Sequence, residues 1–330
     1  MNKKRIKIKF TNGLNFVVGM RDILNFLTPY YEFIDSDEPD FVIFGPYGND
    51  IPQGNFVRIG YYCENIIPDL TICDWAFGIP YEEKVNNPRY MRIQWHGFDP
   101  ESLIKKDINV EKIMAEKTKF CNFIYSHRVP FREKFYKVLA KYKPIDAPGK
   151  SMKNIDSIDT AHNQGDIWQR KKKFLSQYKF TIAFENYSYP GYNTEKLLDP
   201  MNVNSLPIYW GNPHIALHFN TKSFINAHEY MKINDSLVVN LLESLCYPDF
   251  KDIRPGMYRS LSDRVKRKLK SIGREIKINL QYTSFNDLIE KIIEIDKNDT
   301  LYKKYLLEPW LYQNTPPPNP AISRWKEIFG

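Results

Sequence analysis

The densest group of residues able to do chemistry lies between Phe184 and Pro213, in the run FENYSYPGYNTEKLLDPMNVNSLPIYWGNP. An apolar run closes at Phe184, a polar stretch with Gly191 follows, and a helix is predicted to open at Thr194-Glu195-Lys196. Thr194 is a residue type that caps a helix N-terminus. The free N–H groups and the dipole at such a start favour an anion, and Lys196 adds a full positive charge. The chemistry this pattern suits is the holding of a phosphate. Taken alone, it fits equally a capped structural helix with an exposed lysine.

The elements that must position these residues can be read from periodicity. Arg5 to Phe10 alternates basic and apolar side chains, as a strand does. Asp40–Gly45, Phe56–Tyr62, Asp74–Gly78 and Tyr90–Trp95 are predicted as further short strands, with a helix over Arg21–Phe26. A charged, helix-like stretch from Pro100 to Lys119 separates this half from a second series. There, Phe120–Tyr125, Phe180–Phe184 and Leu206–Tyr209 are predicted strands, Ser223–Asn226 is extended, and Phe131–Tyr142 and Glu195–Met201 are helices. Alternating strands and helices predict parallel sheets covered on both faces. The 330 residues suit two such units better than one core. The expected division is 1–115, then 116–313 with an insertion at about 231–281, then a Pro-rich spacer and C-terminal segment over 314–330.

The formal charge of +8 fits a nucleic acid, an anionic membrane or a phosphorylated ligand, and does not choose among them. Inside the insertion, Leu261, Val265, Leu269, Ile272 and Ile276 share one helical face, and seven basic residues between Arg264 and Lys277 fill most of the rest. One reading is a surface helix with solvated lysines. The other is peripheral docking on an anionic membrane through 264–277.

Cys63, Cys73, Cys121 and Cys246 form neither a CxxC pair nor a zinc spacing, so reduced thiols are expected. The basic start MNKKRIKIKF lacks the apolar core of a signal peptide, and no eighteen-residue apolar run occurs. The expected location is therefore cytoplasmic, peripheral on the inner face of the membrane. Asp35-Ser36-Asp37 is expected to be a turn rather than a metal site, and His96, His214 and His228 are expected to be structural or acceptor-side.

The run from Phe184 resembles the donor-binding motif of the bacterial α-1,3/4-fucosyltransferases, glycosyltransferase family 10. The matching residues are Phe184-Glu185-Asn186, Gly191-Tyr192-Asn193-Thr194-Glu195-Lys196 and Pro207-Ile208-Tyr209-Trp210-Gly211. The likeness extends to Phe174–Phe180, to Lys222–His228, to Glu38-Pro39-Asp40-Phe41, to Cys63–Asp69 and to Cys73–Gly78, and so runs from about Arg5 to Pro309 with a break at the insertion.

The resemblance implies an α/β, GT-B-like fold of two Rossmann-type domains facing a cleft. It implies GDP-fucose as donor and inverting transfer to a galactose/GlcNAc-containing acceptor, giving Lewis-type products. By the same resemblance Arg132 and Lys196 meet the diphosphate, and Asn186, Tyr192 and Glu195 meet the nucleotide and fucose. Glu64 is the general base, with Asp69, Asp74 and Glu185 as alternatives. Arg128 competes with Arg132, and Glu185 and Thr194 are additional donor-side candidates. No cofactor or metal ligand is implied, and a divalent cation is at most stimulatory. Two other readings remain: the same fold with another GDP-sugar, and a non-catalytic basic protein that binds lipid or nucleic acid.

Overall fold

A computed structural model describes residues 3–48, 50–106, 108–161, 166–246, 254–257 and 260–330. Its strands are β1 (Lys4–Thr11), β2 (Tyr31–Asp35), β3 (Phe41–Phe44), β4 (Val57–Tyr62), β5 (Trp75–Gly78) and β6 (Tyr90–Arg92), then β7 (Lys119–Asn122), β8 (Ile145–Asp146), β9 (Tyr178–Phe184), β10 (Leu206–Trp210) and β11 (Ile225–Asn226). They form two separate sheets, in the orders β2-β1-β3-β4-β5-β6 and β11-β10-β9-β7-β8. Every strand pairing within them is parallel.

The two orders are the same pattern. Each unit starts with a central strand, places its second strand on one side, and adds the rest on the other. The winding direction therefore reverses between β1 and β3 in the first sheet, and between β7 and β9 in the second. Open α/β sheets of this kind bind ligands beyond the carboxyl ends of the strands at that reversal. Strands β9 and β10 are apolar almost throughout and buried on both faces, as covered parallel strands must be.

The predicted strands of both halves are present. β6 stops at Arg92, and the charged stretch 100–119 is not one helix. It holds a short turn of helix at Pro100–Leu103 and the helix Val110–Glu116, each started by an Asp or Asn cap. The first helix is Phe16–Asp22, capped by Asn15, earlier than the expected Arg21–Phe26. Edge strand β2 and the two-residue β8 escape sequence reading, because β2 is half exposed and carries acids, and β8 is too short for a period.

Within the insertion the helix Leu261–Gln281 departs from the reading of a surface helix with solvated lysines. Arg274 and Lys277 are buried, whereas Leu261, Val265, Leu269, Ile272 and Ile276 are exposed. Residues 247–253 and 258–259 of this segment lie outside the described residues. The C-terminal stretch is not a free tail. The helix Ala321–Phe329 returns to the first sheet, where Trp325 stacks on Phe77 with ring centroids 4.3 Å apart.

Candidate active site

The site begins at the reversal point of the second sheet. β7 runs into Phe123–Tyr125, and the Tyr125 hydroxyl crosses to neighbouring β9. It lies 2.8 Å from the Ile182 carbonyl and 3.0 Å from that of Phe184, and it accepts from the Phe184 N–H at 2.7 Å. The hydroxyl thus clamps the end of β9 where the polar motif starts. Gly149 passes directly over Tyr125: a Cβ there would stand 2.4 Å from the Tyr125 carbonyl oxygen.

On the face of the Tyr125 ring lies Arg132, its guanidinium carbon 3.9 Å from the centroid. Arg132 comes from the helix Pro130–Leu139, whose first residue is the proline that suits that position. It is 1% exposed. It donates to Asn186 Oδ1 at 3.0 Å, to the His127 carbonyl at 3.0 Å and, at 3.4 Å, to that of Phe184. All three acceptors are neutral oxygens. Its Nε has no hydrogen-bond partner among the described residues. Burial pulls its pKa below the ordinary arginine value, yet a guanidinium stays protonated in a protein. A buried cation with no carboxylate in hydrogen-bond contact is one waiting for an anion.

Lys196 stands opposite, in the first turn of the helix Glu195–Asn202. Its Nζ lies 3.3 Å from Glu185 Oε2, 3.5 Å from Glu195 Oε1 and 3.1 Å from Thr194 Oγ1. Burial works against its charge, but Glu185 and Glu195 outweigh that and hold its pKa above the ordinary lysine value. Thr194 caps the helix, accepting from the Lys196 N–H at 3.3 Å. Glu185 is fully buried and accepts from both the Thr194 N–H and its hydroxyl, at 2.9 and 2.8 Å. Glu185 is therefore the post that fixes the cap and the lysine together.

Gly211 explains why that post fits. A Cβ at this position would fall 2.4 Å from Glu185 Cγ. The next residue, Asn212, is fully buried; its Oδ1 accepts from the Gly191 and His214 N–H groups at 2.9 Å, and its Nδ2 donates to Asn193. It holds the Gly191 loop in place, and Gly191 itself has a φ of +83° that a side chain would strain.

A cavity of about 430 Å³ opens between these parts, lined by Tyr125, His127, Arg132, Asn186, Glu195 and Lys196, and on its far wall by Trp168 and Lys171. Its size is that of a small-molecule site. A second cavity of about 460 Å³ adjoins it, and Glu195 and Trp168 line both. Arg21, Asp22, His96, Lys172 and Asp199 also border this second space.

Glu64 follows β4 in the first unit. Its Oε2 accepts from the Tyr192 hydroxyl at 3.0 Å, a bond that spans 128 residues of chain and joins the two units. Burial raises the pKa of Glu64. The Tyr192 hydrogen bond and the charge of Lys196 oppose that without cancelling it. Glu195 goes the other way: burial pushes it up, but Lys196 and Lys171 bring it below the ordinary carboxylate value.

Six of the residues picked from the sequence thus converge: Glu64, Arg132, Asn186, Tyr192, Glu195 and Lys196 line or adjoin one cleft, with Glu185 and Thr194 beneath them. Arg128 does not join them; it is largely exposed and forms a two-pronged pair with Glu133. Asp69 pairs with Arg254 at 3.0 Å, and Asp74 with the Arg58 side chain and N–H. His96 borders the second cavity, whereas His228 stacks on Trp210 and contacts Gly211. Asp35 and Asp37 both pair with Lys9. Sequence reasoning missed Tyr125, Gly149, Trp168, Lys171 and Asn212. Only Asn212 carries a signal, standing in the Gly-Asn-Pro sequence that ends the run from Phe184 to Pro213.

Two family models match the chain. One, glycosyltransferase family 10 (fucosyltransferase) C-term, covers residues 114–246. The other, the alpha-(1,3)-fucosyltransferase FucT N-terminal domain, covers residues 8–98. Among curated proteins, a putative fucosyltransferase of Acanthamoeba polyphaga mimivirus is 30% identical over 62% of this chain and 26% of its own length. An alpha-(1,3)-fucosyltransferase of Helicobacter pylori is 28% identical over 69% of this chain and 52% of its own. The chain thus spans from about a quarter to about half the length of these relatives. Its fold matches the crystal structure of an alpha1,3-fucosyltransferase with GDP-fucose at a TM-score of 0.63, with 22% identity over 100% of this chain and 91% of the other. A second such structure, with GDP, matches at 0.52, with 22% identity over 96% and 94%.

Proposed function

The chain belongs to glycosyltransferase family 10, and we propose that it transfers L-fucose from GDP-β-L-fucose, with inversion, to a GlcNAc hydroxyl of a lactosamine-type glycan. The link is α-1,3, with α-1,4 as the variant that acceptor choice reveals, and the products are Lewis-type structures. Residues 1–115 hold the acceptor and 116–313 the donor. The single observation that carries the reading is Arg132: a buried cation, with only neutral acceptors, facing a cavity at the reversal point of the second sheet.

In this reading the diphosphate lies between Arg132 and Lys196. Negative charge grows on it as the bond to fucose breaks. Fixed cations there stabilise the transition state more than the ground state. The guanidinium is held by Tyr125, His127 and Asn186 before any ligand arrives, so little reorganisation is needed. Asn186 and Glu195 supply polar groups for the nucleotide and fucose, and Tyr192 steadies the base. Inversion by one displacement needs a base opposite the leaving group. Glu64 meets the chemical requirement: burial raises its pKa toward the range where it takes a proton from a sugar hydroxyl. The second cavity, sharing the Glu195 and Trp168 wall, is where the acceptor fits. No metal enters the scheme, and a divalent cation acts only as a stimulator. A cytoplasmic site on the inner face of the membrane, where GDP-sugars are available, goes with this reading.

The test is GDP release from GDP-fucose with N-acetyllactosamine or lacto-N-biose as acceptor. Wild type should turn over. Glu64→Ala and Lys196→Ala should each lose at least about a hundredfold in kcat/KM, the scale of removing one preorganised catalytic group. Wild type that releases no GDP and binds none would bring the non-catalytic reading forward. Turnover with another GDP-sugar alone would keep the fold's role and change the donor.

A further inference from the structure

The first sheet grips the Gly191–Tyr192 step of the second unit at two points. The Tyr192 hydroxyl donates to Glu64 at 3.0 Å, and the Gly191 carbonyl accepts from Arg92 Nη2 at 3.1 Å. The two grips share one frame. Tyr62, the last residue of β4, stands in register with Gly78, the last of β5, and Gly78 with Arg92, the last of β6. Arg92 is thus level with the residue two places before Glu64, on the carboxyl edge of the same sheet.

Arg92 is itself fixed on several sides. Its backbone N–H donates to Glu82 Oε1 at 2.9 Å, and its guanidinium carbon lies 4.6 Å from the Tyr81 ring centroid. Its Nη1 lies 3.5 Å from His218 Nε2, and since arginine only donates, His218 accepts. Burial and the Arg92 charge push the His218 pKa down to about 4, which keeps the ring neutral and able to accept. Gly191 is fitted to the grip from both sides. A Cβ there would crowd Arg92 Nε at 3.1 Å, and the Gly191 N–H is bonded to Asn212. Arg92 does not line the donor cavity, so these contacts are not made to the ligand pocket that Arg132 serves.

We propose that Arg92 is a positioning residue, which by fixing the Gly191 carbonyl sets the Tyr192 hydroxyl on Glu64. The proposal rests on the reading of Glu64 as the base. A peptide held at its carbonyl by one unit and at its N–H by the other has little freedom to turn. The next side chain then reaches the carboxylate already placed, and misplacement by a fraction of an ångström is what such a contact prevents. A mere tie between the units would lower stability when cut and leave the titration of Glu64 alone.

The experiment is the pH dependence of kcat/KM for wild type, Arg92→Met, Tyr192→Phe and the double variant, with Glu64→Ala and the Kd for GDP measured beside them. Tyr192, Lys196, Glu195 and His127 are the neighbours that act on Glu64. Loss of a donated hydrogen bond raises a carboxylate pKa, so the acidic limb should move to higher pH. Tyr192→Phe should move it by about one unit, and Arg92→Met by part of that, with kcat lowered about tenfold. In the double variant Arg92→Met should add no further shift. GDP should bind Arg92→Met with the wild-type Kd, which also shows that the variant is folded. Arg92→Lys keeps the charge but loses the forked geometry, and should behave as Arg92→Met does. Additive shifts in the double variant would mean that the Arg92 charge acts on Glu64 directly, and would overturn the proposal. So would a limb that Tyr192→Phe moves and neither Arg92 variant does, with Glu64→Ala inactive; the base assignment would then stand without Arg92. Wild-type turnover in Glu64→Ala would remove the base assignment and this proposal together.

Discussion

Tyr192 and Glu64 come from different units and meet in one hydrogen bond. The hydroxyl donates to the carboxylate, so it stabilises the ionised form and holds down a pKa that burial has raised. Tyr192→Phe removes that donor and keeps the ring. The Glu64 pKa must then rise further. A general base works only when deprotonated, so the acidic limb of kcat/KM should move to higher pH, with activity recovered at alkaline pH. A pH–rate profile of wild type beside Tyr192→Phe checks this. An unmoved limb, with a uniform loss at all pH values, would mean that Tyr192 acts on binding and Glu64 is not the titrating base. The sign is particular to this pair: loss of a neighbouring carboxylate such as Glu195, whose charge raises the Glu64 pKa, should move the limb the other way.

At the scale of elements, the motif β9–loop–helix–β10 is held by close approach rather than by any single strong bond. Glu185 can fix Thr194 and Lys196 only because Gly211 leaves room for its Cγ. Gly211→Ala forces Glu185 aside and loosens the N-cap, and overpacking of this kind costs about 1–3 kcal/mol. The variant should melt lower and lose GDP affinity together, read by thermal denaturation with and without GDP. Unchanged GDP affinity at a lowered melting temperature would show that the cap does not position the lysine. These elements were legible in the sequence. Apolar runs such as Phe180–Phe184 and Leu206–Tyr209 are buried on both faces, and the polar run between them carries its own cap and glycine. β2 and β8 were not, since one is a half-exposed edge and the other two residues long. Trp168, Lys171 and Tyr125 were illegible as site residues for a different reason. Each belongs to an ordinary-looking helix or strand end, and only the packing of separate segments around the cavity gives it a role. The insertion inverts the lesson. Its helix was legible, but its orientation was not, because periodicity reveals two faces and does not say which one the protein covers.

At the scale of the whole molecule, the chain crosses between its two sheets more than once. Tyr189 and Tyr192, from the second unit's loop, are buried in the core of the first sheet. Arg92 reaches back to the Gly191 carbonyl at 3.1 Å. The helix Ala321–Phe329 closes the first unit with the very end of the chain: Trp325 stacks on Phe77, and Phe329 meets Phe41 at 4.9 Å. Phe77 lies on β5, and β5 pairs with β4, the strand that leads to Glu64. Trp325→Ala removes the largest side chain of this contact, a change that costs about 3–5 kcal/mol in a packed core. The proposed donor cavity draws its charged groups from the second unit, so GDP should still bind with nearly its original Kd under native conditions. In the proposed scheme catalysis should suffer more, since Glu64, the proposed base, follows a strand of the loosened sheet. The expected pattern is a lower denaturation midpoint, an unchanged Kd for GDP by calorimetry, and a reduced kcat. Equal loss of GDP binding would show instead that the two sheets unfold as one cooperative body, with the Tyr192 loop as the coupling. The Glu64–Tyr192 bond would then serve the stability of the whole chain as much as the chemistry of the site.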